Sequence, residues 1–390
     1  MAIIVKKFGG SSVGSVPQIA AIAKRLARDY HQGDQLVLVV SAMAKTTDSL
    51  FSLAYEITKH PSRRELDMLL TAGERISMSL LSLSLLEEGI PSISFTGSQS
   101  GIITDDHHGN AKILKVNAFR IHEELAKEKI VIVAGFQGVS TGKEITTLGR
   151  GGSDTSAVAL ACYLGAERCE IYTDVAGVYS ADPRIVPQAK LLPEIGYLDM
   201  LALAYNGSKV LHPRAVEFAS KYKVPVEVKS SFTFAPGTMI KNEESPKDIA
   251  MEKLQVNAIA HKEDILRYLI PSDEKALLLL NKWQNEIFKI TMQDKVLELY
   301  IEAKYEPEID YLLAESGYDM VSKDRDLGFV ILIGSGLAAD PAFMAKIIKL
   351  TGASDVKRIS HGERSLELIL PTGQVAKTLV LLHQELLENK

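Results

Sequence analysis

The stretch Ile3-Ile4-Val5-Lys6-Lys7-Phe8-Gly9-Gly10-Ser11-Ser12 decides the architecture. A short β-branched run stops at two adjacent glycines. A helical pattern follows, in which Ile19, Ile22, Ala23 and Leu26 recur at three-and-four spacing. Strand, glycine turn and helix make a βα unit, and the alternation repeats. Strands are expected at 3–8, 36–41, 92–95, 130–134, 170–173 and 224–228, and helices at 66–88, 153–164, 198–204 and 213–222. Such units feed a mostly parallel sheet covered on both faces, so the expected fold class is α/β, a three-layer αβα sandwich.

Composition narrows the function classes. A chain of 390 residues exceeds what one core usually organises, and 46% hydrophobic with 24% charged residues describes a folding chain rather than a disordered one. The 44 Lys+Arg against 49 Asp+Glu give a net charge of −5 without a long block of one sign, which argues against nucleic acid as a partner. Cys162 and Cys169 form neither a zinc array nor a disulfide framework, in keeping with a reducing, cytoplasmic location. The apolar runs at 2–5, 276–280 and 379–382 are too short for a signal core or a bilayer span, so no membrane is expected.

Two glycine clusters carry the chemistry. At Lys7-Phe8-Gly9-Gly10-Ser11-Ser12 the backbone is open to close approach by an anion, with a lysine beside it; a plain turn is the bland alternative. The spacing matches neither the P-loop nor the protein-kinase glycine loop. At Thr147-Leu148-Gly149-Arg150-Gly151-Gly152-Ser153-Asp154-Thr155, either Ser153 or Asp154 caps the next helix, or Arg150 grips a carboxylate while the amides face a phosphoryl group. Ligands of open α/β sheets sit at the carboxyl ends of strands, and Lys7, Ser41, Gly135 and Asp174 share that edge. Glu74, Thr47 and Lys209 are charged or hydroxylated residues open to either a surface or a ligand role.

The segments KFGGSS (7–12), SAMAKTTD (41–48), LLTAGERIS (69–77), FTGSQSGI (95–102), AGFQG (134–138), TTLGRGGSDT (146–155), EIYTDVAGVYSADPRIVP (170–187) and GSKVLHPRAVEFA (207–219) together resemble the aspartate kinases of the amino-acid kinase superfamily. The resemblance implies phosphorylation of the β-carboxylate of L-aspartate by ATP, with Mg2+ bound mainly through the ATP phosphates, at the start of lysine, threonine and methionine synthesis. By matching position it gives Lys7 and Asp154 catalytic roles. Lys7, Gly9, Gly10 and Ser11 become the phosphate loop, and Thr47, Glu74, Arg150 and Ser153 the aspartate site. Thr173, Asp174, Tyr179, Arg184 and Lys209 fall on the nucleotide side. Other members of the superfamily, acting on glutamate, acetylglutamate or a nucleoside monophosphate, and a non-catalytic sensor are the competing readings.

Polar, turn-rich composition at 232–253 marks a domain join near residue 250, separating a catalytic domain at 1–250 from a regulatory region at 251–390. The latter, with strands expected at 256–261, 297–303, 329–333 and 365–370 and helices at 341–350 and 374–387, resembles tandem α+β ACT-like (ferredoxin-like) domains at about 255–320 and 325–390. That likeness implies a lysine or threonine effector and a homo-oligomer, dimer or higher. The chain departs from the family pattern at Ile270-Pro271-Ser272-Asp273-Glu274, where a Pro-Gly turn is usual, and at Gly352-Ala353-Ser354-Asp355-Val356.

Overall fold

The computed structural model describes residues 2–208, 210–242, 254–282, 287–318, 322–337 and 340–388. The expected join near residue 250 lies outside the described residues. The chain divides into two compact units. One comprises Met1–Val178, Leu191–Ala204 and Lys209–Ser245; the other comprises Tyr179–Lys190, Tyr205–Ser208 and Pro246–Lys390.

The first unit runs β1 (Ile3–Phe8), α1 (Val16–Tyr30), β2 (Gln35–Val40), α2 (Thr46–Ile57), α3 (Arg63–Leu70), α4 (Ala72–Glu87), β3 (Ser92–Phe95), β4 (Ile102–Thr104) and β5 (Ile113–Val116). It continues through α5 (Phe119–Leu125), β6 (Ile130–Ala134), β7 (Gln137–Ser140), β8 (Ile145–Thr147), α6 (Gly152–Leu164) and β9 (Arg168–Thr173) to β10 (Glu194–Gly196), α7 (Tyr197–Tyr205), α8 (Pro213–Tyr222), β11 (Val226–Ser230) and β12 (Thr238–Lys241). Eight strands form the main sheet in the order β10-β12-β11-β9-β1-β2-β6-β3. Its central pairs are parallel, and β12 alone runs antiparallel to its neighbour β11. On one face Ile19, Ile22 and Leu26 of α1 and Met78, Leu81 and Leu85 of α4 pack against Ile4, Phe8, Leu36, Leu38 and Ile132. On the other, α6 meets β1, β2 and β9, with α8 against it. The three-layer αβα arrangement follows, because strands buried on both faces need a helical layer on each.

Several differences from expectation have physical causes. The helix expected at 66–88 is two helices, α3 and α4, broken at Thr71. The turn-rich stretch after 232 contains β12, which pairs with β10 and β11. A second sheet, β5-β4-β7-β8, was not anticipated, since its strands are only three or four residues long and too short to show a period. By length and composition alone the helical run Arg63–Glu87 is long and apolar enough to cross a membrane; half of its most apolar stretch is buried inside the protein, and Asp67 and Glu74 are among the run's buried residues.

The second unit continues with β13 (Gln255–Pro271), α9 (Glu274–Lys282), β14 (Ile287–Gln293), β15 (Val296–Glu302), α10 (Glu306–Glu315) and β16 (Ser322–Ser335), then α11 (Pro341–Thr351), β17 (Arg358–His361), β18 (Ser365–Pro371) and α12 (Thr372–His383). Its sheet has the order β14-β15-β13-β16-β18-β17 and is antiparallel throughout. It is the ACT-like α+β part of the fold. Strands β13 and β16 are far longer than expected: β13 serves two cores, and β16 pairs with it along nearly its whole length. Leu266, Tyr268 and Ile270 pack with α9 and α10, whereas Val256, Ile259, Val330 and Leu332 pack with α11 and α12. The register shifts between Lys262 and Ile265 mark the changeover. Segment 179–190 belongs here too: Ala181 and Val186 enter the α11/α12 core, and Ser180 bonds His383 at 2.9 Å.

Candidate active site

Strand alternation sends Lys6 and Lys7 to opposite faces of the sheet. Lys6 reaches Asp29 of α1 at 2.7 Å. Lys7 reaches Asp154 in the first turn of α6 at 2.6 Å, with side chains only 11% and 14% exposed. The two are in ionic contact, but Asp154 Oδ1 accepts no directed hydrogen bond among the described residues. Asp154 is placed by Gly151, the α6 N-cap, whose φ of 64° is left-handed. A Cβ there would lie 2.3 Å from the His212 ring, so both conformation and space require glycine.

The strand ends line up through backbone hydrogen bonds. Gly9 donates to the Tyr172 carbonyl (3.1 Å), Ser41 to Phe8 (3.1 Å) and Gly135 to Val40 (3.0 Å). The edge expected from Lys7, Ser41, Gly135 and Asp174 is thus one continuous ridge. Helix α1 starts at Val16, so Gly9 and Gly10 lie in a turn rather than at a helix N-terminus. A Cβ on Gly9 would sit 3.6 Å from Lys7 Nζ and 3.9 Å from Ser12 Oγ, and one on Gly10 would sit 2.9 Å from the Ala42 carbonyl. These glycines keep a cradle open beside the lysine. Ser11 is exposed, whereas Ser12 turns inward with a buried hydroxyl that has no partner among the described residues.

Glu74 adjoins this cradle through the 41–44 loop. Its Oε1 accepts from the Ala42 amide at 3.1 Å, while Oε2 is buried without a partner among the described residues. Burial pushes its carboxyl up to about 7. A Cβ on Gly73 would come within 2.8 Å of Ala42 Cβ and 3.5 Å of Thr46 Cγ2, which brings the first turn of α2, with Thr47, against that of α4. Ser153 is buried against Gly135, where a Cβ would lie 2.8 Å from its Oγ. Arg150 is exposed on the loop before α6.

The structure therefore brings Lys7, Gly9, Gly10, Asp154, Ser153, Glu74 and Thr47 onto adjoining segments. Thr173, whose hydroxyl donates to Asp174 at 3.1 Å, closes the β9 end of the same edge. Tyr179 and Arg184 belong to the second unit, where Arg184 is exposed and pairs with Asp182 at 2.6 Å. Lys209 lies outside the described residues. Sequence reasoning missed Ser12, Asp67 and Arg214; their signal is only membership of the quoted segments or a lone acid in an apolar helix.

A buried carboxyl with one open oxygen, a buried hydroxyl without a partner among the described residues and a lysine beside two open glycines suit an anionic phosphoryl donor together with a zwitterionic acceptor. Among the described residues no cluster of His, Cys, Asp and Glu forms a metal site. A family model described as the amino acid kinase family matches residues 2–230. The chain is 42% identical to the aspartokinase of Geobacillus stearothermophilus across 98% of its own length and 97% of that protein. Aspartokinase III of E. coli in complex with aspartate and ADP, in its R-state, has a TM-score of 0.81 at 25% identity, covering 98% of this chain and 99% of that one. The lysine- and aspartate-bound T-state of the E. coli enzyme shares the fold, with a TM-score of 0.78 at 24% identity over 99% of each chain. The match extends well beyond the kinase part and into the antiparallel C-terminal sheet, and this chain belongs to the aspartokinases of the amino acid kinase family.

Proposed function

We propose that this kinase transfers the γ-phosphoryl group of MgATP to the β-carboxylate of L-aspartate, giving 4-phospho-L-aspartate and ADP, the first step toward lysine, threonine and methionine. The observation that carries the reading is the Lys7–Asp154 contact at 2.6 Å beside the Gly9-Gly10 cradle, one backbone segment away from the partnerless oxygen of Glu74.

The acceptor carboxylate is ionised at neutral pH, with an ordinary aspartate pKa of about 3.9, so no general base is needed. The barrier is repulsion between two anions together with charge spread over the phosphoryl oxygens. Lys7 meets that charge, and Asp154 orients the ammonium so that it is already in place when charge develops. The Gly9, Gly10 and Ser11 backbone holds phosphate. Magnesium riding on the phosphates supplies further charge neutralisation. Glu74 takes the acceptor's ammonium at its open oxygen, Arg150 grips the α-carboxylate by its planar fork, and Thr47 and Ser153 line the same acceptor site. Thr173 and Asp174 serve the nucleotide side; Tyr179, Arg184 and Lys209 join them on the family resemblance alone.

We further infer a catalytic domain at about 1–250 and two ACT-like lobes beyond, responding to lysine or threonine, in a cytoplasmic homo-oligomer. The test of the reaction is MgATP and L-aspartate in hydroxylamine, which traps an acyl phosphate as its hydroxamate. Hydroxamate with aspartate and none with glutamate or acetylglutamate is the expected outcome. The reverse pattern moves the chain to another substrate, and none with any acceptor leaves a sensor.

A further inference from the structure

A buried carboxylate and a half-buried guanidinium outside the proposed site converge on the loop that carries Arg150. Asp67, on α3, is fully buried. Its carboxylate gathers donors from the 105–112 loop and from the end of β8. The Thr147 hydroxyl donates to Oδ1 at 2.5 Å, the Gly109 amide reaches the two oxygens at 3.1 and 3.2 Å, and His108 Nδ1 lies 2.7 Å from Oδ2. Arg214, on α8, supplies the second anchor. Its Nη1 donates to the Leu148 carbonyl at 2.6 Å and to Asn110 Oδ1 at 3.3 Å, and its Nη2 donates to the Ala111 carbonyl at 2.8 Å.

Between these anchors the loops are joined directly. The Ala111 amide donates to the Thr147 carbonyl at 2.9 Å. At Gly149, whose φ is 75°, a Cβ would lie 2.9 Å from Asn110 Oδ1 and 3.1 Å from the Gly109 carbonyl. Burying a carboxylate and half-burying a guanidinium is an inefficient route to stability, since apolar residues of similar volume usually do as well. What ionic groups provide here is direction: several bonds with fixed angles to backbone atoms that flank Arg150 on its N-terminal side. On the C-terminal side Gly151 rests against His212, and the His212 side chain caps the same helix as Arg214.

Asp67 also shares a helical rod with Glu74. Helix α3 ends at Leu70 and α4 begins at Ala72, and the Thr71 carbonyl between them is held by the Gln137 side-chain amide at 3.2 Å. One rod therefore carries Glu74 and, through Asp67, holds the Arg150 loop. We propose that Asp67 and Arg214 are positioning residues that set the separation between Glu74 and Arg150, and with it the length of amino acid whose distal carboxylate reaches the phosphoryl donor. The inference rests on the assignment of Glu74 and Arg150 to the acceptor above.

The test uses the full chain, with the KM for L-aspartate and for ATP measured separately by hydroxamate formation. Loss of a hydrogen bond to a buried charged group is expected to raise the KM for aspartate about tenfold in Thr147→Val and Asp67→Asn. The KM for ATP should stay within about twofold. Arg214→Lys, which keeps the charge and loses the fork, should do the same, and all three should narrow the preference for aspartate over glutamate. Thr147→Ser restores the hydroxyl and should restore the KM. An unchanged KM for aspartate overturns the proposal. So does a parallel rise in both KM values with Thr147→Ser no better than Thr147→Val, the pattern of general loosening. Should Asp67→Asn not fold, the Thr147 pair decides. Absence of aspartyl hydroxamate from the unsubstituted chain would instead overturn the underlying assignment of substrate.

Discussion

Lys6 and Lys7 are chemically identical neighbours, and the pleat alone gives them different work. Lys6 is locked to Asp29 at 2.7 Å, while Lys7 meets Asp154 beside the glycine cradle. Lys7→Ala should therefore lower kcat by about a hundredfold to a thousandfold, as loss of a preorganised charge at a developing anion does; steady-state kinetics in the hydroxamate assay measure it, with Lys6→Ala as the control that lowers stability instead. Glu74 gives a pH signature. Its carboxyl sits at about 7 in the folded chain against an ordinary 4.5, so between those values the folded state keeps a proton that the unfolded state has released. Stability should fall as pH rises through that window. Binding an ammonium requires the ionised form, so the KM for aspartate should fall as pH rises through about 7. Both slopes should flatten in Glu74→Gln, read by denaturant titration and by KM across pH. The two thiols have no comparable role, since burial pushes Cys162 up to about 12 and holds Cys169 well above the usual range.

At the scale of elements, helix α6 is bounded by two left-handed glycines with different surroundings. Gly165, at its C-terminal end, has φ 62° with nothing within 4 Å of an added Cβ, whereas Gly151 at its start faces the His212 ring. Gly165→Ala should cost only the backbone strain, about 1–2 kcal/mol, with kinetics unchanged. Gly151→Ala should cost more and also raise the KM for aspartate, because relieving the ring contact moves the Arg150 loop; thermal melts and kinetics on the pair separate the two effects. The elements themselves were legible to different degrees. Strands β1, β2 and β6 stood out because each is a buried β-branched run. The break at Thr71 did not, since the apolar period continues across it, and the four short strands of the small sheet carry too few residues to show alternation. Ser12 could not be told from Ser11 by sequence, because only the course of the turn decides which hydroxyl points inward.

At the scale of the whole molecule, the second unit interlocks its two lobes through β13, whose side chains enter both cores. Ile259 lies early in β13, next to the expected domain join, yet its side chain is in the core built by Leu332, Leu368 and Leu382. Ile259→Ala should destabilise the α11/α12 lobe by about 2–5 kcal/mol, seen as lost hydrogen-exchange protection in β18 and α12. The matching change Leu299→Ala should loosen the α9/α10 lobe, whose core contains it. If the unit is regulatory as proposed, titration with lysine or threonine should change the rate at subsaturating aspartate; a rate flat to saturating concentrations of both removes that part of the proposal.

The amino-acid order by itself determined the βα alternation, the glycine turns and the family, because hydrophobic periodicity and backbone permissiveness are local properties written into short windows. Tertiary structure decided the rest. That Lys7 rather than Lys6 faces Asp154, that Glu74 keeps one oxygen open, and that Asp67 and Arg214 hold the Arg150 loop depend on which distant segments meet. So does the sharing of β13 between two cores. Buried polar groups find their partners across tens of residues, and no window of sequence records that distance.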